Sequence, residues 1–375
     1  MRLKSLEIAG LLGREGSFKT DFNDDINIVT GRNGSGKTSA LKLLWYVISG
    51  NILLALKEIE FSRITVETSE YTCTVYRLTA FTCKVDWRDS DGEKTFVDQI
   101  DDDGDVFLNA EDEANKRLRR TGASVFLPTF RRIEGGFTIG ERERSPLGRA
   151  GRDIEESLSS LSRRLSNEDH TFVASLSTVD IVNLLVAKYA DLSDLASKYQ
   201  QEVSQNIIAR IKQYEEKNAA STDTEELSDA NQILEDIVRQ IEGMERNRET
   251  AMKPLQGISS LVGKLFKHAG IRLGKTLSFG DAASAVNSDL LSAGEKQMLS
   301  FIAYNAFYRD SVIIIDEPEL SLHVDWQRQF FAILLGQEAS NQFIVATHSP
   351  FIYSKYPDKE IQLDAERGDE RGDFE

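Results

Sequence analysis

Gly31-Arg-Asn-Gly-Ser-Gly-Lys-Thr38 is the stretch on which the reading of this chain turns. It fits G-x-x-x-x-G-K-[ST] at every fixed position. Just before it, Ile26-Asn-Ile-Val-Thr30 is a short apolar run, predicted as a buried strand. Just after it, residues 37–49 place Leu41, Leu44, Trp45 and Ile48 at helical spacing. A strand that turns through glycines into a helix can wrap backbone N–H groups around phosphate oxygens, and the helix N-terminus favours that negative charge. The ligand expected is ATP with Mg2+. The candidate contacts are Gly31, Asn33, Gly34, Ser35, Gly36, Lys37, Thr38 and Ser39, with Lys37 on the β- and γ-phosphates and the Thr38 hydroxyl on the metal.

Further along, Val312-Ile-Ile-Ile-Asp-Glu317 is an apolar strand ending in two carboxylates. Beside a phosphate loop, Asp316 is expected in the magnesium shell, and Glu317 as the catalytic group that orients and deprotonates the attacking water. Ile344-Val-Ala-Thr-His348 is one more strand with a polar end. Taken alone, Ser292-Ala-Gly-Glu295 reads as a helix cap. His323 lies in Glu319-Leu-Ser-Leu-His323. His170 and His268 belong to no pattern.

The 375 residues suggest two domains, or one large domain with an insertion. With 40% apolar and 28% charged residues, a packed core is expected. No stretch approaches the roughly 18 apolar residues of a membrane span. The opening Met-Arg-Leu-Lys-Ser-Leu-Glu-Ile reads as a first strand rather than a signal peptide. Cys73 and Cys83 have no third or fourth partner for zinc, so they read as reduced thiols of a cytoplasmic protein. The net charge of −16 opposes a broad nucleic-acid-coating surface. Lys116–Arg164 runs against that charge, with twelve basic residues, eleven of them Arg, and six acidic ones, a net of +6. Either it is a solvated, salt-bridged surface, or it faces phosphate or a partner.

Residues 2–10 are expected as a strand. Residues 63–99 alternate in period two and predict antiparallel hairpins, with a turn at Ser90-Asp-Gly92. Residues 101–113 read as an acidic loop, and Ser124-Val-Phe-Leu127 as a buried strand stopped by Pro128. From about 151 to 270 the texture is helical. Leu192, Ala196, Tyr199 and Val203 form one stripe; Leu227, Ala230, Leu234, Ile237, Ile241 and Met244 form another. Asn218–Thr224 is the turn expected between them. Two helices of about 25 residues would make an antiparallel hairpin about 35–40 Å long, for internal packing or as a protein-binding arm. Leu277-Ser-Phe279 reads as a strand, and the tail after Asp364 as frayed.

In this order, the phosphate loop, Leu291-Ser-Ala-Gly-Glu295, the Asp316-Glu317 strand and Thr347-His348-Ser349 resemble the ABC-type ATPases. The resemblance implies an α/β head with a mixed-sheet core and an antiparallel β-subdomain, carrying an inserted helical lobe. Residues 1–150 would form the N-terminal part of the head, 151–275 the insertion and 276–375 the C-terminal part. It implies that Ser292, Gly294 and Glu295 contact the nucleotide held by a second copy, so that ATP is sandwiched in a homodimer or higher oligomer. It further implies that His348 senses the γ-phosphate and that His323 faces the opposing subunit. The family places a Gln near 124–135; here Leu127-Pro-Thr-Phe-Arg-Arg-Ile-Glu-Gly-Gly136 stands instead, with Arg131 or Arg132 as the candidate near phosphate.

More than 250 residues separate the phosphate loop from the signature, unlike the compact transporter subunits. Asp316-Glu-Pro-Glu-Leu-Ser-Leu-His323 with Ala346-Thr-His-Ser-Pro350 is similar to the OLD-like and RecF-like ATPases, including those of the Septu, PARIS and retron-associated anti-phage systems. About 27 residues follow His348, too few for the nuclease domain of OLD proteins. The resemblance therefore implies a regulatory or assembly ATPase with a separately encoded effector, a nuclease or toxin. The alternative is a RecF-like repair or recombination ATPase that grips DNA through the Arg-rich 116–164 segment.

Overall fold

The computed structural model describes residues 1–100, 106–129, 132–133, 157–176, 190, 193–209, 211–212, 234–247, 292–337 and 339–363. The chain forms two compact units: Met1–Thr178 with Asp289–Glu375, and Val179–Ser288.

The first unit contains two six-stranded sheets. The antiparallel sheet has the order β2-β1-β4-β5-β6-β7. Its strands are β1 (Leu3–Ala9), β2 (Ser17–Asp21), β4 (Arg63–Thr68), β5 (Tyr71–Arg77), β6 (Cys83–Asp89) and β7 (Gly92–Val97). Burial in β5 and β6 alternates residue by residue, as the period-two pattern predicts. Asp89 pairs with Gly92, which leaves Ser90-Asp91 as a two-residue turn. Cys73 and Cys83 are buried free thiols on neighbouring strands. Burial pushes Cys73 up to about 12 and raises Cys83 as well, which makes both poor nucleophiles.

The second sheet runs β12-β10-β14-β15-β3-β16, every neighbouring pair parallel. Its strands are β3 (Ile26–Thr30), β10 (Ser124–Leu127), β12 (His170–Phe172), β14 (Val312–Asp316), β15 (Gln342–Ala346) and β16 (Glu360–Gln362). Every residue of β3, β10, β14 and β15 is buried. Both faces are covered, so these strands read as continuous apolar runs rather than as alternation.

Helix α1 (Lys37–Ile48) contacts strands of both sheets. The stripe Leu41, Leu44, Trp45 and Ile48 is buried, but so are Leu43, Tyr46 and Val47. A helix with a sheet on either side is apolar all round. Trp45 anchors it, stacked on Phe126 at 5.7 Å with Phe172 at 5.3 Å.

Two expectations are corrected. Part of the supposed acidic loop 101–113 is ordered: β9 (Val106–Leu108) pairs with β8 (Gln99–Ile100), and Ala110–Leu118 is helix α2. Its first turn holds Glu111, Asp112 and Glu113 and its last holds Lys116 and Arg117, the charge order that suits the helix dipole. The helical texture expected from 151 is interrupted by β12, which pairs with β10, and by β13 (Ser175–Leu176), which pairs with β11 (Arg132–Ile133). The first compact unit runs to Thr178 and resumes at Asp289. His170 sits inside it, fully buried, 2.8 Å from Ser124 Oγ and 3.3 Å from the Leu118 carbonyl. Burial pushes its pKa down to about 4, so it is a neutral core residue.

In the second unit, residues 193–209 and 234–247 are helical. Lys198–Asp194, Arg239–Glu235 and Arg246–Glu242 form ion pairs one turn apart. Val203 is buried, while Leu234 and Ile241 are exposed. The turn expected at Asn218–Thr224, the strand at Leu277–Phe279, His268 and the tail after Asp364 lie outside the described residues. Among the described residues, no helix is long and apolar enough to cross a membrane.

Candidate functional site

The phosphate loop leaves β3 in backbone conformations that require glycine: φ is +151° at Gly31, +76° at Gly34 and +100° at Gly36. A Cβ at Gly31 would lie 2.6 Å from the Leu363 carbonyl and 2.9 Å from Ser35 Oγ. The loop is braced from outside its own motif. Arg14, in the turn between β1 and β2, donates to the carbonyls of Ser35 at 2.9 Å and Gly34 at 2.7 Å. No sequence pattern marks Arg14, because the contact joins segments that meet only in the fold.

Lys37 opens α1 and is 5% exposed. Its ammonium donates to the carbonyls of Gly31 at 3.1 Å and Arg32 at 3.4 Å, and lies 2.6 Å from His348 Nε2. Thr38 and Ser39 stand beside it in the first turn. Ser35 Oγ is buried and has no hydrogen-bond partner among the described residues. A cavity of about 400 Å³ adjoins the loop, lined among others by Leu11, Phe18, Ser35 and Gln362. An orphaned hydroxyl, a glycine cradle and a buried lysine fit a polyphosphate.

The other predicted residues arrive through sheet register. Asp316 pairs with Ala346, and Ala346 with Val29, so β14, β15 and β3 end level. The Glu317 N–H donates to the Ala346 carbonyl at 2.9 Å and the Thr347 N–H to the Val29 carbonyl at 3.2 Å. Asp316, Glu317, His348 and the phosphate loop thus share the carboxyl edge of a parallel sheet, where such sheets bind ligands. Asp316 is fully buried. With the Thr38 hydroxyl it offers hard oxygen donors of the kind Mg2+ takes, and the bound metal would neutralise charge on the β- and γ-phosphates.

Two residues that the motifs do not name complete the arrangement. Thr129 donates its hydroxyl to Asp316 Oδ2. It follows β10, whose Leu127 pairs with Ile315, and it stands in the segment where Arg131 or Arg132 was expected near phosphate. Arg131 lies outside the described residues. Glu319 hydrogen-bonds Glu317 and accepts the His348 N–H at 2.7 Å. Burial, followed by Glu319 and Asp316, pushes Glu317 up to about 8. Burial and then Lys37 lower His348, whose neutral ring accepts the Lys37 proton at Nε2. Glu317 Oε1 lies 3.5 Å from the same nitrogen. Glu317 also carries a φ of +49°, a conformation that costs a non-glycine residue on the order of 1–3 kcal/mol and gathers at functional sites.

Ser292 caps the helix Ala293–Phe307, and Glu295 closes the reciprocal capping box. The next turn holds the loop after β14. Gln297 donates to the Pro318 carbonyl at 3.2 Å, and a Cβ at Gly294 would lie 2.3 Å from the Ser321 carbonyl. Gly294 is thus required by packing within its own chain, whatever it touches in another. Among the described residues, no hydrogen bond joins Ser292, Gly294 or Glu295 to residues 31–39, so the structure does not bring them onto this chain's own phosphate loop. His323 caps the helix Val324–Leu335 through Asp325 N at 3.4 Å, with its side chain largely exposed.

A family model described as "AAA domain, putative AbiEii toxin, Type IV TA system" matches residues 87–354, a span that begins after the phosphate loop. Among solved structures, the chain is similar to an Smc head domain with an extended coiled coil, bound to the C-terminal domain of ScpA and derived from Pyrococcus furiosus. Identity is 13%, with 94% of this chain and 91% of that chain covered, and the TM-score is 0.37. It is also similar to an SmcHead bound to the C-winged helix domain of ScpA, at 11% identity, the same coverages and a TM-score of 0.39. No curated protein matches.

Proposed function

The chain belongs to this AAA-domain family, and from that premise we propose that it is an ATPase whose nucleotide cycle drives assembly. It acts as the sensor or regulatory subunit of an anti-phage system with a separate effector. The observation that carries the ATPase reading is the meeting of Lys37, His348, Glu317 and Asp316 at one sheet edge, with Lys37 Nζ 2.6 Å from His348 Nε2. In the cycle, Lys37 exchanges its carbonyl and imidazole partners for phosphate oxygens. That releases His348 toward the γ-phosphate. Glu317 then takes the proton of the attacking water, and Glu319 and Thr129 hold the two carboxylates in place.

The helix N-terminus at Ser292 would favour an anion brought by a second copy once the Ser292 N–H and hydroxyl exchange the Glu295 carboxylate for it. This supports an ATP sandwich in which binding joins two heads and hydrolysis at Glu317 releases them. The family's description, a putative toxin of a type IV toxin–antitoxin system, supports a two-component arrangement. Two arginines of the 116–164 segment have structural employment: Arg119 donates twice to the Gly50 carbonyl, and Arg117 faces Asp89 at 3.8 Å. The net charge of −16 weighs against the RecF-like DNA reading.

Glu317→Gln should bind ATP, turn it over about 10²–10⁴-fold more slowly, and accumulate an ATP-dependent dimer in light scattering. Normal turnover removes Glu317 as the base; a monomer with ATP bound removes the sandwich.

A further inference from the structure

Two segments bring the candidate chemistry to the parallel edge. The loop after β14 holds Glu317 and Glu319, and the run after β15 holds Thr347, His348 and Ser349. Inside the site they are joined by the His348 N–H, which donates to Glu319 Oε1 at 2.7 Å. They are joined again at their far ends by Gln327, a side chain that neither motif contains. Gln327 stands near the start of the helix Val324–Leu335. Its Oε1 accepts the Ser349 hydroxyl at 2.6 Å, and its Nε2 donates to the Leu322 carbonyl at 2.8 Å. A carbonyl can only accept, so Leu322 fixes which way the amide faces. Ser349 Oγ in turn accepts the Phe351 N–H at 3.2 Å, which leaves its proton for Gln327. Ser349 and Leu322 are buried. The loop that Gln327 grips is strained: φ is +49° at Glu317 and +72° at Ser321. Such conformations persist only where the surrounding contacts hold them.

We propose that Gln327 is a positioning residue for hydrolysis, a neutral clamp that keeps His348 at its working distance from Glu317. This rests on the ATPase reading above. Glu319 alone is a poor spacer. Its carboxylate also hydrogen-bonds Glu317, so it responds to every change of charge there, whether from phosphate or from a proton. The Gln327 amide does not titrate. Its two hydrogen bonds hold the ends of both segments while the charged groups exchange partners around the nucleotide.

The experiment measures ATP turnover at saturation, equilibrium ATP affinity and melting temperature for the full chain, Gln327→Met, Gln327→Glu and Lys355→Met. Gln327→Met keeps the length of the side chain and loses both bonds. Gln327→Glu, an acceptor only when ionised, keeps Ser349 and loses Leu322. Lys355→Met cuts a different tie to the same helix, from Lys355 Nζ to the Arg328 carbonyl at 2.9 Å. A misplacement of about 1 Å predicts turnover down about 10²-fold in Gln327→Met. ATP affinity should be unchanged, and Lys355→Met should turn over like the parent. Gln327→Glu should show the same split with a smaller loss, and it carries the test if Gln327→Met does not fold. Four results overturn the assignment: unchanged turnover in the folded Gln327 variants, turnover and ATP affinity falling together, an equal loss in Lys355→Met, or failure of both Gln327 variants to fold. In each of these the ATPase reading stands, because the parent chain still hydrolyses ATP. If the parent does not hydrolyse ATP, that reading falls and the role of Gln327 falls with it.

Discussion

The parallel and antiparallel sheets of the first unit each have six strands, yet the candidate chemistry lies along only one of them. In the parallel sheet all strands point the same way, so the loops after β3, β10, β14 and β15 gather at one edge. The phosphate loop, Thr129, Asp316-Glu317 and His348 meet there. In the antiparallel sheet, neighbours reverse, tight turns such as Ser90-Asp91 join them, and the strand ends are divided between two edges. Direction, more than composition, decides which sheet can concentrate functional groups. The antiparallel sheet serves by covering α1 and by lending Arg14 and Phe18 from its first hairpin.

The sharpest way to break this contrast is at the parallel edge itself. Lys37→Ala removes a buried, charge-assisted contact, expected to cost about 2–5 kcal/mol of ATP affinity, roughly 30- to 5,000-fold. Calorimetric titration checks this, and unchanged affinity would remove the phosphate loop from the site. Paired substitutions in the two sheets sharpen it. Ile314→Val in β14 and Ile64→Val in β4 both trim fully buried residues, and each should cost about 0.5–1.5 kcal/mol of stability in denaturant melts. Only the β14 change stands in the strand that carries Asp316, so only it should lower turnover well below the melting point. Equal losses of turnover would show that both sheets position the site.

A further test of the parallel edge concerns pH. Without nucleotide, Glu317 titrates at about 8 in the folded chain against 4.5 for the free side chain. Between those values the folded state binds the extra proton, so stability is full below the lower value and is lost as pH rises through the upper one. Melting temperature against pH should slope down across that window, and Glu317→Gln should flatten the slope. The same slope in the variant would assign it to another group.

The motifs were legible because phosphate and metal chemistry demand particular residues at fixed spacing: glycines where φ is positive, a lysine at the helix start, carboxylates at a strand end. The parallel strands were legible as apolar runs and the hairpins as alternation. Arg14, Thr129 and Glu319 were not, since each acts through one hydrogen bond made by tertiary placement, and Arg, Thr or Glu in a loop carries no signal of its own. Helix α2 hid because Glu111-Asp-Glu113 reads as solvated charge unless weighed with Lys116 and Arg117 as a dipole pattern. β12 hid because three residues are too few to show a period.

The closure of β3 by β16 also has a consequence for biosynthesis. Thr30 and Glu360 are 330 residues apart, so the phosphate loop's own strand waits for 330 further residues before its outer neighbour exists. At about 5–20 residues per second on the ribosome, that interval is roughly 15–65 s. During it the nascent chain shows an unpaired apolar edge and a phosphate loop still lacking the Leu363 carbonyl that lies against Gly31. Competence for nucleotide should therefore appear late and abruptly in translation, and a ribosome stalled short of residue 360 should display a head that is mostly folded yet unable to hold ATP.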